Sequence, residues 1–379
     1  MASLPHVKRM FAVGAAALVL AAPAHAALPS VDATAFLVQD AKTGEILAQR
    51  NATASVPIAS LTKLMTILLT LESGARMNDV VTVQRDAADV GESSIDLHAG
   101  QRITVSDLLK GALIQSANNA ADALADYVAH GDEAAFVARM NAEARRLGLR
   151  GTHYVRPDGL DAPGHVSSAR DVTALARRLM RYPVVRGIVR QREATIADGE
   201  QLHTWNDLLG VFRGVVGVKT GHTGGAGWCE VAEVKRDGLD IYATILGSPS
   251  RGQRNHDLAA LLRWALGVER PAWVIVPGRR YARVSLGYER APLALVARRG
   301  VVRPVRLDRR LVERVVAAGA TTLPVNRGAP LGEIRVYSGR KLVARQPLVA
   351  ARAVAEPGVA ARVGFYARRT FEHIGGWFT

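Results

Sequence analysis

The chain has a single cysteine, Cys229, in 379 residues. An intramolecular disulfide is therefore excluded. Cys229 sits in an apolar, strand-like stretch with no base near it in sequence, so it reads as a small core residue and not a nucleophile. The ten histidines form no His-x-x-x-His pair or comparable cluster, which argues against a zinc peptidase; neither a metal nor a cofactor is expected. Aromatic residues make up 5% of the chain and are not interleaved with the basic ones. Stacking platforms for nucleic acid are thus lacking, and no nucleic-acid partner is expected. The longest apolar run near the N-terminus, Met10–Ala22, is too short to span a bilayer, and no other stretch is long enough. Internal repeats and low-complexity tracts are absent.

Both ends of the chain are specialised. Lys8 and Arg9, the run Met10–Ala22 and the small-residue site Ala24–His25–Ala26 read as a secretory signal over residues 1–26, with an N-terminal membrane anchor as the alternative. Its removal, with two basic and no acidic residues, takes the formal charge from +15 to +13. A basic exported protein suits anionic surfaces such as lipid head groups or wall polymers. At the other end, Ala360, Val363, Ala367, Phe371, Ile374 and Phe378 share one helical face, with Arg362, Arg369 and Glu372 largely opposite. That pattern predicts a helix lying in a membrane surface; a terminal helix docked on the protein itself is the alternative.

Between the ends, Ala35–Gln39 and Glu45–Gln49 read as a hairpin about the turn Asp40–Gly44. A helix is expected from about Ser60 to Glu72, with short strands and loops over 76–104. Val105–Ala121 is helical but broken near Ser116–Asn119; Ala120–Tyr127 and Glu133–Leu147 continue as helices, the second ended by Gly148. Gly151–Gly164 is a turn-rich loop, and Ser167–Tyr182 is a helix opened by Ser168 and ended by Pro183. The period then changes. Val215–Lys219, Cys229–Val234 and Ile241–Leu246 are strand-like, and His256–Leu266 is a closing helix with Arg254 ahead of it. Strands at both ends with helices between imply one sheet assembled from distant segments. From Pro271 to about Ala355 come short β runs: Trp273–Val276, Tyr281–Leu286, Leu293–Ala297, Val301–Leu307, Leu323–Val325, Ile334–Tyr337 and Leu342–Val349. The expected fold class is α+β. It comprises a signal (1–26), an α+β domain (27–268), a small all-β sandwich (269–355) and an amphipathic helix (356–379).

Three motifs carry the chemistry. Ser60 stands three residues before Lys63 at a helix start, which brings an amine to a hydroxyl. A serine needs a base to become a nucleophile, and a lysine neutralised by burial can serve. Ser116–Ala117–Asn118, at a helix break, exposes a second hydroxyl and an amide. The hydroxyl could pass a proton to a leaving amine and the amide could hold a substrate carbonyl. Val218–Lys219–Thr220–Gly221–His222–Thr223 closes a strand. Lys219 offers positive charge and Thr220 a hydroxyl for a carboxylate, while Gly221 lets another backbone approach. Second copies exist. Ser338–Gly339–Arg340–Lys341 and Lys42–Thr43–Gly44 both read as hairpin turns.

Order and spacing distinguish the first copies: Ser116 follows Ser60 by 56 residues and Lys219 follows Ser116 by 103. The joint pattern resembles the penicillin-recognising serine enzymes, and within them the low-molecular-mass penicillin-binding proteins that are D-alanyl-D-alanine carboxypeptidases. The resemblance extends to Gln115–Ala120, Gly159–Asp161, Ser167–Asp171, the β domain and the tail. It implies that Ser60 is acylated by the stem pentapeptide of peptidoglycan and by β-lactam antibiotics, with Lys63 as base and Ser116 as proton relay. It implies further that Asn118 binds the substrate amide, that Lys219 and Thr220 hold the terminal carboxylate, and that the backbone N–H groups of Ser60 and His222 form the oxyanion hole. Arg254 matches a family arginine that helps place the carboxylate, with Arg251 as the neighbouring alternative. The family is exported and works at the periplasmic face of the inner membrane. A DD-endopeptidase, a β-lactamase and a non-catalytic envelope scaffold are the alternative functions. Between 150 and 200 there is no Glu-x-x-Asn-type loop of the kind a class A β-lactamase uses for deacylation.

Overall fold

The structure, a computed structural model, describes residues 11–18, 27–288 and 291–375. The chain divides into two compact units, Ala26–Glu269 and the segment from Arg270 onward, the latter joined by the N-terminal residues. Within the segment read as a signal, Phe11–Leu18 forms a strand, β1, of the second unit in the unprocessed chain; residues 1–10 and 19–26 lie outside the described residues.

The first unit is built on a five-stranded antiparallel sheet. Its N-terminal hairpin is β2 (Ala35–Asp40) and β3 (Ile46–Arg50). A 3₁₀ turn, Ala59–Thr62, runs directly into α1 (Lys63–Glu72). The small hairpin of β4 (Val80–Thr82) and β5 (Arg102–Thr104) encloses α2 (Arg85–Ala88). Helices α3 (Val105–Lys110), α4 (Asn118–Ala129), α5 (Glu133–Arg146) and α6 (Ala169–Leu179) follow. Ser168 caps α6 by accepting from the Asp171 amide. Besides α2, which lies in the segment read as strands and loops, the elements not expected are the short α7 (Pro183–Ile188), where the proline that ends α6 opens a new helix, and the hairpin β6 (Glu193–Thr195) and β7 (Gln201–His203). Three long strands complete the sheet: β8 (Val215–Thr223), β9 (Gly227–Arg236) and β10 (Leu239–Ser248). The order is β3-β2-β10-β9-β8, so the first and last thirds of the unit meet in one sheet.

The closing helix, α8 (Arg251–Val268), starts five residues earlier than its apolar pattern suggests. Ser250 accepts from the Gln253 amide at 3.1 Å and nucleates the extra turn. Arg254 therefore lies within the helix and not ahead of it. Both sheet faces are covered. Phe36, Val38, Ala243 and Ile245 pack with Leu258, Leu261 and Leu262 of α8, while Leu37, Val231 and Leu246 pack with Leu64, Leu68 and Leu124 of the helical layer. Alternate residues of one strand thus serve opposite cores, which is why these strands read as unbroken apolar runs. Burial of each leucine side chain contributes about 1.5–3 kcal/mol.

The second unit holds β11 (Glu269–Ile275), β12 (Arg280–Leu286), β13 (Leu293–Ala297), β14 (Val301–Arg306), β15 (Leu311–Ala318), β16 (Ala320–Thr321), β17 (Pro330–Ser338) and β18 (Lys341–Ala350). A seven-stranded sheet, β1-β15-β17-β18-β13-β12-β16, and the pair β11-β14 share a core that includes Ile275, Val284, Leu295, Val305 and Ile334. β15 was missed in the sequence because Glu313 and Arg314 interrupt its alternation. The run Leu323–Val325 is not a strand; Val325 makes only an isolated bridge to Val354. The C-terminal helix is α9 (Val359–Gly375). Phe365 and Tyr366 pack edge-on against Tyr288, with ring centroids 5.2 and 6.2 Å away. Val359 and Val363 are exposed. The side chains of Phe371 and Ile374, and all of Phe378, lie outside the described residues. No helix among the described residues is long and apolar enough to cross a membrane.

Candidate active site

Ser60 sits in the 3₁₀ turn and Lys63 is the first residue of α1. Side chains three apart eclipse in a 3₁₀ turn, and Lys63 Nζ donates to Ser60 Oγ at 2.8 Å. Two further acceptors hold the amine, Asn118 Oδ1 and the Asp158 carbonyl, each at 2.6 Å. Lys63 is fully buried. Burial lowers its pKa to about 8, against the opposing pull of Asp158 and Asp122. The same face of α1 grips the loop 156–160, where Thr66 donates to the Pro157 carbonyl at 2.5 Å. Arg156 forms a two-point ion pair with the buried Asp158, at 2.5 and 2.6 Å. Gly159 has φ +88°, and a Cβ there would stand 2.2 Å from the Ala59 carbonyl oxygen. Only glycine lets this loop close on the nucleophile's turn. Ala59 itself has φ +50°, a conformation costing on the order of 1–3 kcal/mol that aims Ser60.

The expected helix break is a π-type turn, Gly111–Gln115, ending at Ser116 with φ +64°. This second left-handed residue places Ser116 Oγ 2.6 Å from Lys219 Nζ. Asn118 is 2% exposed and both ends of its amide are used internally: Oδ1 accepts from Lys63, and Nδ2 donates to the Gly91 carbonyl at 2.9 Å. In this state it orients the base and does not line the cavity.

The edge strand β8 brings Lys219, Thr220, Gly221 and His222 to the same place. A Cβ on Gly221 would lie 3.0 Å from the Ser60 amide nitrogen, so glycine keeps β8 close to the nucleophile. Lys219 is buried and also donates to the Thr220 carbonyl at 2.7 Å. Burial, then the charge of Lys63, pushes its pKa well below the usual lysine range. The His222 ring stacks on Trp228, with centroids 4.0 Å apart. A cavity of about 200 Å3 is lined by Ser60, Ser116, Thr220, Gly221, His222 and Arg254. Arg254 is 1% exposed. Arg251 instead pairs with Asp207 at 2.7 and 2.5 Å and lies over the Trp205 ring. The arginine at the cavity is thus Arg254.

Comparison with known proteins gives the lineage. The family described as D-alanyl-D-alanine carboxypeptidase matches residues 22–250, more than half of the chain. The chain belongs to this family. The D-alanyl-D-alanine carboxypeptidase DacC of Escherichia coli is 32% identical over 399 residues, covering 98% of each chain. The crystal structure of DacD from Francisella tularensis superposes with a TM-score of 0.66 over 87% of this chain and 95% of its own, at 24% identity. Penicillin-binding protein D2 of Listeria monocytogenes, solved in an ampicillin-bound form, is 31% identical over 62% of this chain and 98% of its own, with a TM-score of 0.57.

In this carboxypeptidase-family chain, four cavity residues besides Arg254 lie outside the three motifs: Glu92, Ser93, Trp205 and Trp228. The first two sit on a loop fastened over the Ser116 turn, where the Asn118 amide donates to the Ser93 carbonyl at 2.7 Å and Ser93 Oγ donates to the Gln115 carbonyl at 3.0 Å. Trp205 Nε1 donates to the same carbonyl at 2.9 Å. Nothing local in the sequence marks these contacts; the run of polar residues Glu92–Ser93–Ser94 was the available signal. The second motif copies form turns of their own. Ser338 and Lys341 face each other across the β17–β18 turn, and Lys42 Nζ donates to the Gly238 carbonyl at 2.6 Å. Cys229 is buried, with its thiol pushed up to about 12.

Proposed function

We propose that the protein removes the terminal D-alanine from peptidoglycan stem pentapeptides through an acyl-enzyme on Ser60. Neutral Lys63 takes the Ser60 proton as Oγ attacks the carbonyl between the two D-alanines, while the backbone N–H groups of Ser60 and His222 receive the oxyanion. Two N–H groups of the neutral amine still reach Asn118 and the Asp158 carbonyl, which leaves its lone pair for the Ser60 hydroxyl. Ser116 relays the proton taken up by Lys63 to the nitrogen of the departing D-alanine, which returns Lys63 to its neutral form. Water then hydrolyses the ester and restores Ser60. Lys219, Thr220 and Arg254 receive the terminal carboxylate. β-Lactams acylate the same serine. The observation carrying the reading is the buried Ser60–Lys63 pair at 2.8 Å, open to a cavity that Ser116, Thr220 and Arg254 share. The protein is expected to release D-alanine from a pentapeptide ending in D-Ala-D-Ala, followed by a D-alanine assay. Absence of release, with penicillin still labelling Ser60, would move the scissile bond elsewhere and favour cross-link cleavage.

The same reading places the mature chain at the periplasmic face of the bacterial inner membrane. It rests on the signal-like N-terminus, the charge of +13 left after residues 1–26 are removed and the amphipathic pattern of α9. Truncation after Glu356 is expected to release the protein from anionic lipid vesicles in a flotation assay. Unchanged flotation of the truncated chain would put the anchor elsewhere.

A further inference from the structure

Glu230 is a fully buried charged group beside the site that the reaction leaves without a task. It stands on β9 opposite Thr220 of β8 and is fully buried. Neither of its carboxylate oxygens has a hydrogen-bond partner among the described residues. Its close cation is Arg254 on α8, whose Nε lies 3.1 Å from Oε2 but is not aligned for a hydrogen bond. The charged groups around it are Arg254 and Arg251 from α8, Lys219 from β8 and Asp207 from the loop before β8. Arg254 is shared: its guanidinium also reaches Asn255 Oδ1 at 2.6 Å and Asp207 at 3.2 Å, and it lines the cavity.

An ionised carboxylate in such a place is held by one misaligned ion pair. Burial pushes the Glu230 carboxyl up to about 7, while Arg254 draws it down. A second carboxylate arriving beside Arg254 competes for the same guanidinium and repels Glu230 through a dry interior. Protonating Glu230 relieves the repulsion and leaves Arg254 to the newcomer.

We propose that Glu230 is a positioning residue of the carboxylate subsite, taking up a proton when the C-terminal carboxylate of the substrate binds beside Arg254. The proton comes from solvent and returns there when D-alanine leaves. The proposal rests on the carboxypeptidase reading, so its test separates the two.

Diacetyl-L-Lys-D-Ala-D-Ala is titrated calorimetrically into the Ser60→Ala protein at pH 7, in buffers of different ionisation enthalpy. Uptake of about half a proton per ligand is expected for a group titrating near pH 7, and adding Glu230→Gln should remove it. In the active enzyme, KM should rise about tenfold per pH unit above 7 and Glu230→Gln should flatten that limb, while the dependence of kcat on Lys63 deprotonation near pH 8 stays the same in both proteins. Penicillin labelling of Ser60 verifies that the variant is folded; Glu230→Leu serves if the amide variant is not. Binding without proton uptake by the Ser60→Ala protein overturns the proposal with no further variant. Uptake that survives loss of Glu230 assigns the proton to Lys219 and overturns it too. Absence of binding by folded Ser60→Ala protein would overturn the carboxypeptidase reading itself, and this proposal with it.

Discussion

Ser60→Ala protein is expected to stay folded, to carry no penicillin adduct and to release D-alanine at least about 10³-fold more slowly. The size follows from the chemistry. Without Oγ no acyl-enzyme forms, and what remains is whatever the cavity gives a free water molecule. The fold should hardly notice. Ser60 Oγ accepts one hydrogen bond, from Lys63, and the amine keeps Asn118 Oδ1 and the Asp158 carbonyl. Loss of one such contact costs roughly 1 kcal/mol. Intact-mass measurement after penicillin treatment, beside a thermal melt, gives both numbers. An adduct on a folded Ser60→Ala protein would remove Ser60 from the role of nucleophile.

The three motifs were legible because each announces itself locally: a serine and lysine at helical spacing, a polar break in an apolar helix, a glycine after a strand's lysine. Their meeting was legible only through order and spacing, since no local signal says that β8 lies against the Ser60 turn. The sheet was readable because its strands are apolar on both faces. What stayed hidden falls into two kinds. Some residues act through backbone groups, as the Asp158 carbonyl does for Lys63, and a carbonyl has no sequence signature. Others were masked by neighbours. The extra turn of α8 is polar, Arg251–Gly252–Gln253–Arg254, so the apolar period begins too late to place Arg254 in the helix. Glu230 sits in an apolar strand, where an acid reads as an edge residue. Its burial against Arg254 emerges only when α8 is laid on the sheet. Asn118 shows a third limit. The motif puts an amide at the site, but the fold turns both ends of it inward, toward Lys63 and Gly91.

The base should declare itself in a pH profile. Lys63 must be neutral to accept the Ser60 proton, and its pKa is lowered to about 8 by burial. Penicillin acylation by the wild type should therefore fall about tenfold for each pH unit below 8 and level off above it. Stability follows the same titration. A lysine whose folded pKa lies below its unfolded value binds fewer protons when folded between about 8 and the ordinary 10.5. Stability from this group therefore rises with pH across that window, and below it the folded protein carries a constant penalty of about 3 kcal/mol. Lys63→Arg separates the amine's charge from its basicity. The guanidinium keeps the positive charge between Asn118 and Asp158 but cannot give up its proton. Acylation should drop on the order of 10³-fold, and its rise between pH 6 and 8 should vanish. Stopped-flow acylation across that range, on both proteins, is the measurement. A limb that persists in Lys63→Arg would belong to another group, and the second buried lysine, Lys219, which donates to the cavity residue Ser116 at 2.6 Å, would take over as base.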